Sequence, residues 1–219
     1  MDSLNRHEDY GQASLDETHL LQDPIEQFKI WLQEADEEKI YEPNAFVLST
    51  VTDLNAPSSR TVLLKGVDEH GFFFATNFES RKGQAIAQNP AVSAVFGWYS
   101  MYRQVLVEGV VENVPESDSD EYFNSRPHES KVAAWSSNQS QPIQNREALD
   151  LQFQVALDRF EGKDVIRPDY WGGYRIVPTR IEFWKAGQTE CTIELPSQEI
   201  LMVLVSQVSG KCSGCSPSY

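Results

Sequence analysis

"AFVLSTVTDLNAPSSRTVLLKGVDEHGFFFAT", residues 45–76, decides the fold class. Three runs rich in Val, Leu, Phe and Thr ("AFVLSTVT", "SRTVLLKGV" and "GFFFAT") are broken by the turn-forming "DLNAPSS" and "DEHG". Short β-prone runs punctuated in this way read as an antiparallel meander. Downstream, "ESRKGQAIAQN" has helical spacing and is stopped by Pro90. Two more strands follow at "AVSAVFGWY" and "YRQVLVEGVVENV", then a largely helical stretch over 116–163, and a last strand within "GGYRIVPTRIEFWKA". Upstream, "DPIEQFKIWLQEADEEKI" opens with Asp23 as a cap, Pro24 in the first turn and Glu26 at the capping-box position. Ile25, Phe28, Leu32 and Ala35 fall on one face of that helix, which must pack on something. Many strands with helices inserted late predict a mainly β, α+β chain: a closed or half-closed antiparallel β-barrel with helical decoration.

The chain has 219 residues, within the range of one large all-β domain. Net charge is −15, and residues 1–44 carry 12 acidic against 3 basic side chains. That balance excludes a phosphate-backbone binder, which needs a basic face. An anionic small molecule remains compatible if the basic residues of 45–188 converge. Residues 1–22 are polar, charged and aperiodic, as expected of a disordered arm without a targeting pattern. No apolar run is long enough for a membrane helix, so a cytoplasmic location is expected. The four histidines are scattered and suggest neither a metal cluster nor a triad, and the lone C-x-x-C at Cys212 and Cys215 is too little for a metal site. No phosphate-binding Gly-rich signature is present.

What remains is a set of cations on strands and strand ends. Arg60 and Lys65 in "SRTVLLKG" are five apart, so an ideal strand sends them to opposite faces. Either both are solvated edge charges, or both reach a ligand with Lys65 at the strand's end. "ESRKGQ" puts Arg81 and Lys82 in the first turn of a helix capped by Ser80. Cations there oppose the helix dipole, a mismatch that an anion bound at the same terminus removes. In "EYFNSRPHES", Tyr122, Arg126 and Ser130 recur at steps of four, but Pro127 interrupts the stripe and should end one helix at Arg126. "SSNQSQP" is a polar loop able to hydrogen-bond a heterocycle or to cap the following helix. Trp171 and Trp184 read as core residues.

In this order, "SRTVLLKG", "TNFESRKG", "RQVLVEG", "YFNSRPHES", "NQSQPI" and "WGGYRIVPTRIEFW" resemble the pyridoxine (pyridoxamine) 5′-phosphate oxidase family, over about Asp23 to Gln188. The resemblance implies an FMN-binding split β-barrel, a homodimer with FMN at its interface, and oxidation of pyridoxine 5′-phosphate or pyridoxamine 5′-phosphate by O2. The products would be pyridoxal 5′-phosphate and H2O2, the last step of vitamin B6 salvage. It further implies that Arg60, Thr61, Val62, Leu63, Leu64 and Lys65 line the flavin, with Ala75 and Thr76 beside it. Arg81 and Lys82, with Thr76, would hold the FMN phosphate. Gln104 would come from the partner side of the flavin site, with Gln139, Ser140 and Trp184 nearby. Lys65, Tyr122, Arg126 and Ser130 would hold the substrate.

The same resemblance makes the tail anomalous. In the family, "FW" and Gly-Gln lead into Arg-Leu-His-Asp-Arg, whose first Arg and His contact substrate and whose last Arg contacts flavin. Here "FWKAGQ" runs into "TECTIEL"; beyond Lys185 the only basic residue is Lys211, and all three cysteines lie at or after Cys191. The bases AGA ATG CAC GAT CGA ATT G encode Arg-Met-His-Asp-Arg-Ile, and one base later they read Glu-Cys-Thr-Ile-Glu-Leu, which is residues 190–195. This match predicts an out-of-frame reading of the family's C-terminus over 189–219, following a domain at 23–188. Transcript sequencing checks it, and the idea fails if no such frame underlies those codons. "EILMVLVSQV" in that tail is apolar enough to form a replacement strand. A chain without the motif could also hold FMN or a B6 phosphate without turning it over.

Overall fold

The computed structural model describes residues 20–136, 138–187, 191–196 and 201–208. Most of the expected arm (1–19), and positions 188–190, 197–200 and 209–219 of the tail, lie outside the described residues. The elements are α1 (Pro24–Glu37), β1 (Ala45–Val51), β2 (Pro57–Asp68), β3 (Gly71–Asn77), α2 (Arg81–Gln88), β4 (Ala91–Trp98), β5 (Arg103–Asn113), α3 (Glu116–Ser125), α4 (His128–Ser136), α5 (Arg146–Arg159), β6 (Trp171–Gly187), β7 (Cys191–Pro196) and β8 (Leu201–Val208).

Hydrogen-bonded order is β3-β2-β1-β4-β5-β6-β8-β7. A further antiparallel pairing of β3 with β6, Phe72 opposite Ile176 through Asn77 opposite Trp171, closes β1 to β6 into a six-stranded barrel. The meander of 45–76 is its first half, with Ala45 opposite Leu63 and Asp68 opposite Gly71. The expected antiparallel pairing holds throughout that ring and between β7 and β8, while β8 runs parallel to β6, from Arg180 opposite Leu201 to Gly187 opposite Val208. Parallel neighbours need a connection of about a dozen residues or more. Residues 188–200 supply it, with β7 folding back antiparallel on β8. Within "EILMVLVSQV", Leu201–Val208 forms a strand, and Met202 in it is fully buried.

The chain divides into two compact units, and β4, β5 and β6 contribute residues to both. One comprises the described residues of Met1–Pro43, Val95–Glu108 and Thr179–Tyr219. Its centre is α1, where Asp23 accepts from the backbone N–H groups of Ile25 and Glu26. Glu26, at the position of a reciprocal cap, pairs with Lys29 at 2.7 Å. Trp31 rather than Leu32 completes the buried face with Ile25, Phe28 and Ala35. Phe28 meets Phe96 edge-on at 4.7 Å, and Trp31 meets Phe183 at 5.1 Å. The outer face of Trp31 carries the Arg103 guanidinium, which is ion-paired with Glu34.

The other unit, Asn44–Ala94 with Gly109–Pro178, holds β1 to β3, α2 to α5 and the start of β6. Phe46, Phe74 and Tyr174 pack in its barrel core, while Phe123, Val132, Ala156, Phe160, Val165 and Trp171 form a second cluster under the helices. Between β3 and α2 the chain turns sharply. Ser80 Oγ donates to the Asn77 carbonyl at 2.7 Å and accepts from Gly83 N–H at 3.3 Å. A Cβ on Gly83 would lie 2.2 Å from the Phe78 carbonyl oxygen, a backbone atom that cannot swing away. Gly83→Ala should therefore destabilise by about 1–3 kcal/mol, as overpacking does. The expected fall in Tm is about 2–4 °C per kcal/mol for a chain of this size. An unchanged Tm by differential scanning calorimetry would refute the tight approach.

Candidate active site

Four pieces of one unit converge on a cleft of about 510 Å³. β2 supplies Thr61, Val62, Leu63 and Lys65; β3 supplies Ala75 and Thr76; α2 supplies Lys82; the α3–α4 corner supplies Tyr122, Arg126, Pro127 and Ser130. Gln139 and Trp171 complete the lining. The proline that breaks the sequence stripe makes this possible. Arg126 caps α3 in an extended conformation, α4 starts again at His128, and Tyr122, Arg126 and Ser130 still reach one cavity.

At one end of the cleft stands the N-terminus of α2. Lys82 Nζ lies 2.6 Å from Gln139 Oε1 and 3.3 Å from Ser80 Oγ, and Thr76 Oγ1 donates to the same Gln139 oxygen at 3.4 Å. Burial, and then the nearby charge of Arg60, pushes the Lys82 ammonium down to about 8. Arg60 is itself lowered by burial and by Arg81. Among the described residues no carboxylate lies within ion-pair distance of Arg60, Arg81 or Lys82; Arg60 donates only to neutral oxygens, the Leu48 carbonyl, Thr50 Oγ1 and Ser58 Oγ. Lys82 in the cleft, within the field of Arg60 and without a counter-charge among the described residues, suits an anion at a helix N-terminus.

Beyond Tyr122 lies a second cationic point. The Arg126 guanidinium sits 4.6 Å from the Trp171 ring and 5.4 Å from that of Phe123, and burial lowers its pKa. Its Nη1 is buried without a hydrogen-bond partner. A buried, partnerless donor on a charged group carries a desolvation cost that a bound anion would offset. Lys82 and Arg126 thus bring positive charge to one cleft whose wall is formed by β2 and β3, an arrangement that suits an anionic ligand.

Sequence reasoning placed several residues differently from the structure. Arg60 and Lys65 do point to opposite sides, but Lys65 is not at a strand end. β2 continues to Asp68, and Lys65 lies on the same face as Thr61 and Leu63, all three lining the cleft, while the register against β3 slips between Leu64 and Gly66. Arg60 reaches across to β1 and does not line the cleft; Leu64 is a core residue whose N–H donates to the Asn44 carbonyl and whose carbonyl accepts from the Asn44 side-chain amide. Arg81 is exposed, acting on the site through its field. Ser140, at φ 69°, lines a neighbouring cavity of about 180 Å³. Gln104 and Trp184 are both half-buried and belong to the other unit.

Trp171, expected in the core, is buried and also lines the cleft. Its sequence signal was the adjoining Gly172-Gly173. A Cβ on Gly172 would lie 3.2 Å from Ser119 Oγ on α3, and Gly173 N–H donates to that oxygen at 3.0 Å. The absence of side chains there lets α3 lie against the start of β6.

A closed six-stranded antiparallel barrel with a cation-lined cleft beside β2 and α2 has the architecture of the FMN-binding split-barrel class. A family model described as pyridoxamine 5′-phosphate oxidase matches residues 32–159, and one for the pyridoxine 5′-phosphate oxidase C-terminal dimerisation region matches 171–191. The pyridoxine/pyridoxamine 5′-phosphate oxidase of Rubrobacter xylanophilus is 49% identical over 177 residues, covering 81% of this chain and 82% of the relative. That of Gloeothece citriformis is 46% identical over 176 residues, 80% and 82% of the two chains. The crystal structure of PhzG from Burkholderia lata, in complex with tetrahydrophenazine-1-carboxylic acid, superposes with a TM-score of 0.79 at 26% identity, covering 89% of this chain and 98% of that one. The chain belongs to the pyridoxamine 5′-phosphate oxidase family.

Proposed function

We propose that the chain is an FMN-dependent oxidase that converts pyridoxine 5′-phosphate or pyridoxamine 5′-phosphate to pyridoxal 5′-phosphate, working as a cytoplasmic homodimer in B6 salvage. The observation that carries this reading is the pair of anion seats in one cleft, Lys82 with Thr76 at one end and Arg126 with its partnerless Nη1 at the other. Thr76, Arg81 and Lys82 would hold the FMN phosphate, with Thr61 to Leu63 and Ala75 beside the ring; Leu64 would contribute backbone only. FMN held by these residues would supply the redox chemistry, hydride acceptance from the substrate's C4′ carbon and reoxidation by O2 with two electrons and two protons to give H2O2. The chain's own part is orientation and charge. Tyr122, Arg126 and Ser130 would fix the substrate phosphate, and Lys65, on the cleft face of β2, would add a positive charge to the same cleft. Arg60, held by three neutral oxygens, adds field without contact.

A second reading, binding without turnover, is favoured by one observation. The match to the C-terminal family region ends at 191, and where the family has Arg-x-His-Asp-Arg this chain has Glu190, Cys191, Thr192, Ile193 and Glu194. The tail over 189–219 would then be a substitute for the family's last strands. Purified full-length chain, incubated in air with excess FMN and pyridoxine 5′-phosphate, separates the readings. Formation of pyridoxal 5′-phosphate is the expected result. FMN uptake without product leaves the binding form, and failure to take up FMN refutes both.

A further inference from the structure

We propose that Trp171 is the positioning residue that makes Arg126 a phosphate receptor, and so sets preference for phosphorylated over unphosphorylated ligands. The inference rests on the reading of the Arg126 end of the cleft as a phosphate seat. An arginine is usually oriented by a carboxylate, which also neutralises it. Here the guanidinium is oriented by aromatic faces, Trp171 at 4.6 Å and Phe123 at 5.4 Å, while Nη1 stays without a partner. A ring face attracts the cation yet accepts none of its in-plane N–H bonds, so it orients the guanidinium without using up its donors. The indole also lies nearly parallel to Tyr122, at 11° and 6.0 Å between centroids, so one side chain orients two of the groups facing the phosphate.

Trp171 is itself held from both sides. Its carbonyl accepts from Arg167 Nη1 at 2.8 Å, and Arg167 Nε is paired with Asp120 of α3 at 2.6 Å. Phe123, also on α3, meets the indole edge-on at 5.1 Å. The start of β6 and the helix carrying Tyr122 and Arg126 are thereby tied to each other through Arg167 as well as through the rings.

The test is calorimetric titration of FMN-loaded full-length protein with pyridoxal 5′-phosphate and, separately, with pyridoxal. Trp171→Leu should weaken pyridoxal 5′-phosphate about tenfold, as loss of a desolvated cation–π contact implies. Pyridoxal and FMN affinities should stay within about twofold, and Trp171→Phe, which restores a face, should recover most of the loss. If W171L does not fold, Trp171→Met removes the face while keeping apolar bulk. Unchanged discrimination between the two ligands in the non-aromatic variant overturns the proposal. So does a parallel fall for pyridoxal, pyridoxal 5′-phosphate and FMN, which marks a merely structural role. Wild-type protein that takes up FMN but not pyridoxal 5′-phosphate refutes the substrate assignment itself, and this inference with it.

Discussion

In an Arg126→Ala variant, affinity for pyridoxal 5′-phosphate falls by about 100-fold or more while FMN binding stays within about threefold of wild type. Two charge-assisted hydrogen bonds from one guanidinium to a phosphate are each worth about 1.5–3 kcal/mol, and both go at once. Arg126 has no carboxylate partner among the described residues, so its truncation leaves no buried counter-charge behind to confuse the result. Arg126→Lys keeps the charge but not the fork, and should fall between the two. Because the guanidinium also packs on Trp171 and Phe123, the variant's Tm is the control for lost packing. If R126A binds pyridoxal 5′-phosphate within tenfold of wild type, the substrate phosphate is not held there.

FMN affinity should be flat below about pH 8 and decline above it. Lys82 in the ligand-free protein titrates near 8, lowered by burial and by Arg60. The FMN phosphate is a dianion well below that pH, its second pKa being about 6. Below pH 8 the ammonium is already charged and the ion pair forms directly. Above it, Lys82 must take up a proton on binding, and affinity falls by up to about tenfold per pH unit. Lys82→Met removes this dependence and weakens FMN about 10- to 100-fold at pH 7, the loss of one charged hydrogen bond. Fluorescence quenching of FMN across pH 6.5–9.5 measures both. An equally steep profile in K82M would assign the titration elsewhere. The sign for stability is opposite: the unfolded lysine binds its proton up to the ordinary 10.5, so the ligand-free fold gains stability as pH rises from about 8 toward 10.5.

Much of the architecture was legible because it is written in local periodicity. The meander of 45–76, the Asp23 cap, the Ser80-capped helix and the break at Pro127 each depend on near neighbours. The unfavourable cations of "ESRKGQ" even announced an anion before any geometry was known, since a helix N-terminus repels them. The parallel placement of β8 was not legible, because strand direction depends on where a connection lands and not on alternation within the strand. Nor was the division of the buried face of α1, where Trp31 displaced Leu32 to meet Phe183.

By itself, then, the sequence determined the order of α1 and the first five strands, the barrel class, the cationic inventory and the break with the family's motif after Gln188. Tertiary structure decided which cations share a cavity, which are tied back, and which are left without partners. The register slip beside Lys65, the tie of half-buried Arg60 across to β1 and the stacking of Arg126 on Trp171 all depend on atoms far apart in the chain. Burial and repulsion are collective: a lysine becomes a group that titrates near 8 only when the fold surrounds it with an arginine and little water.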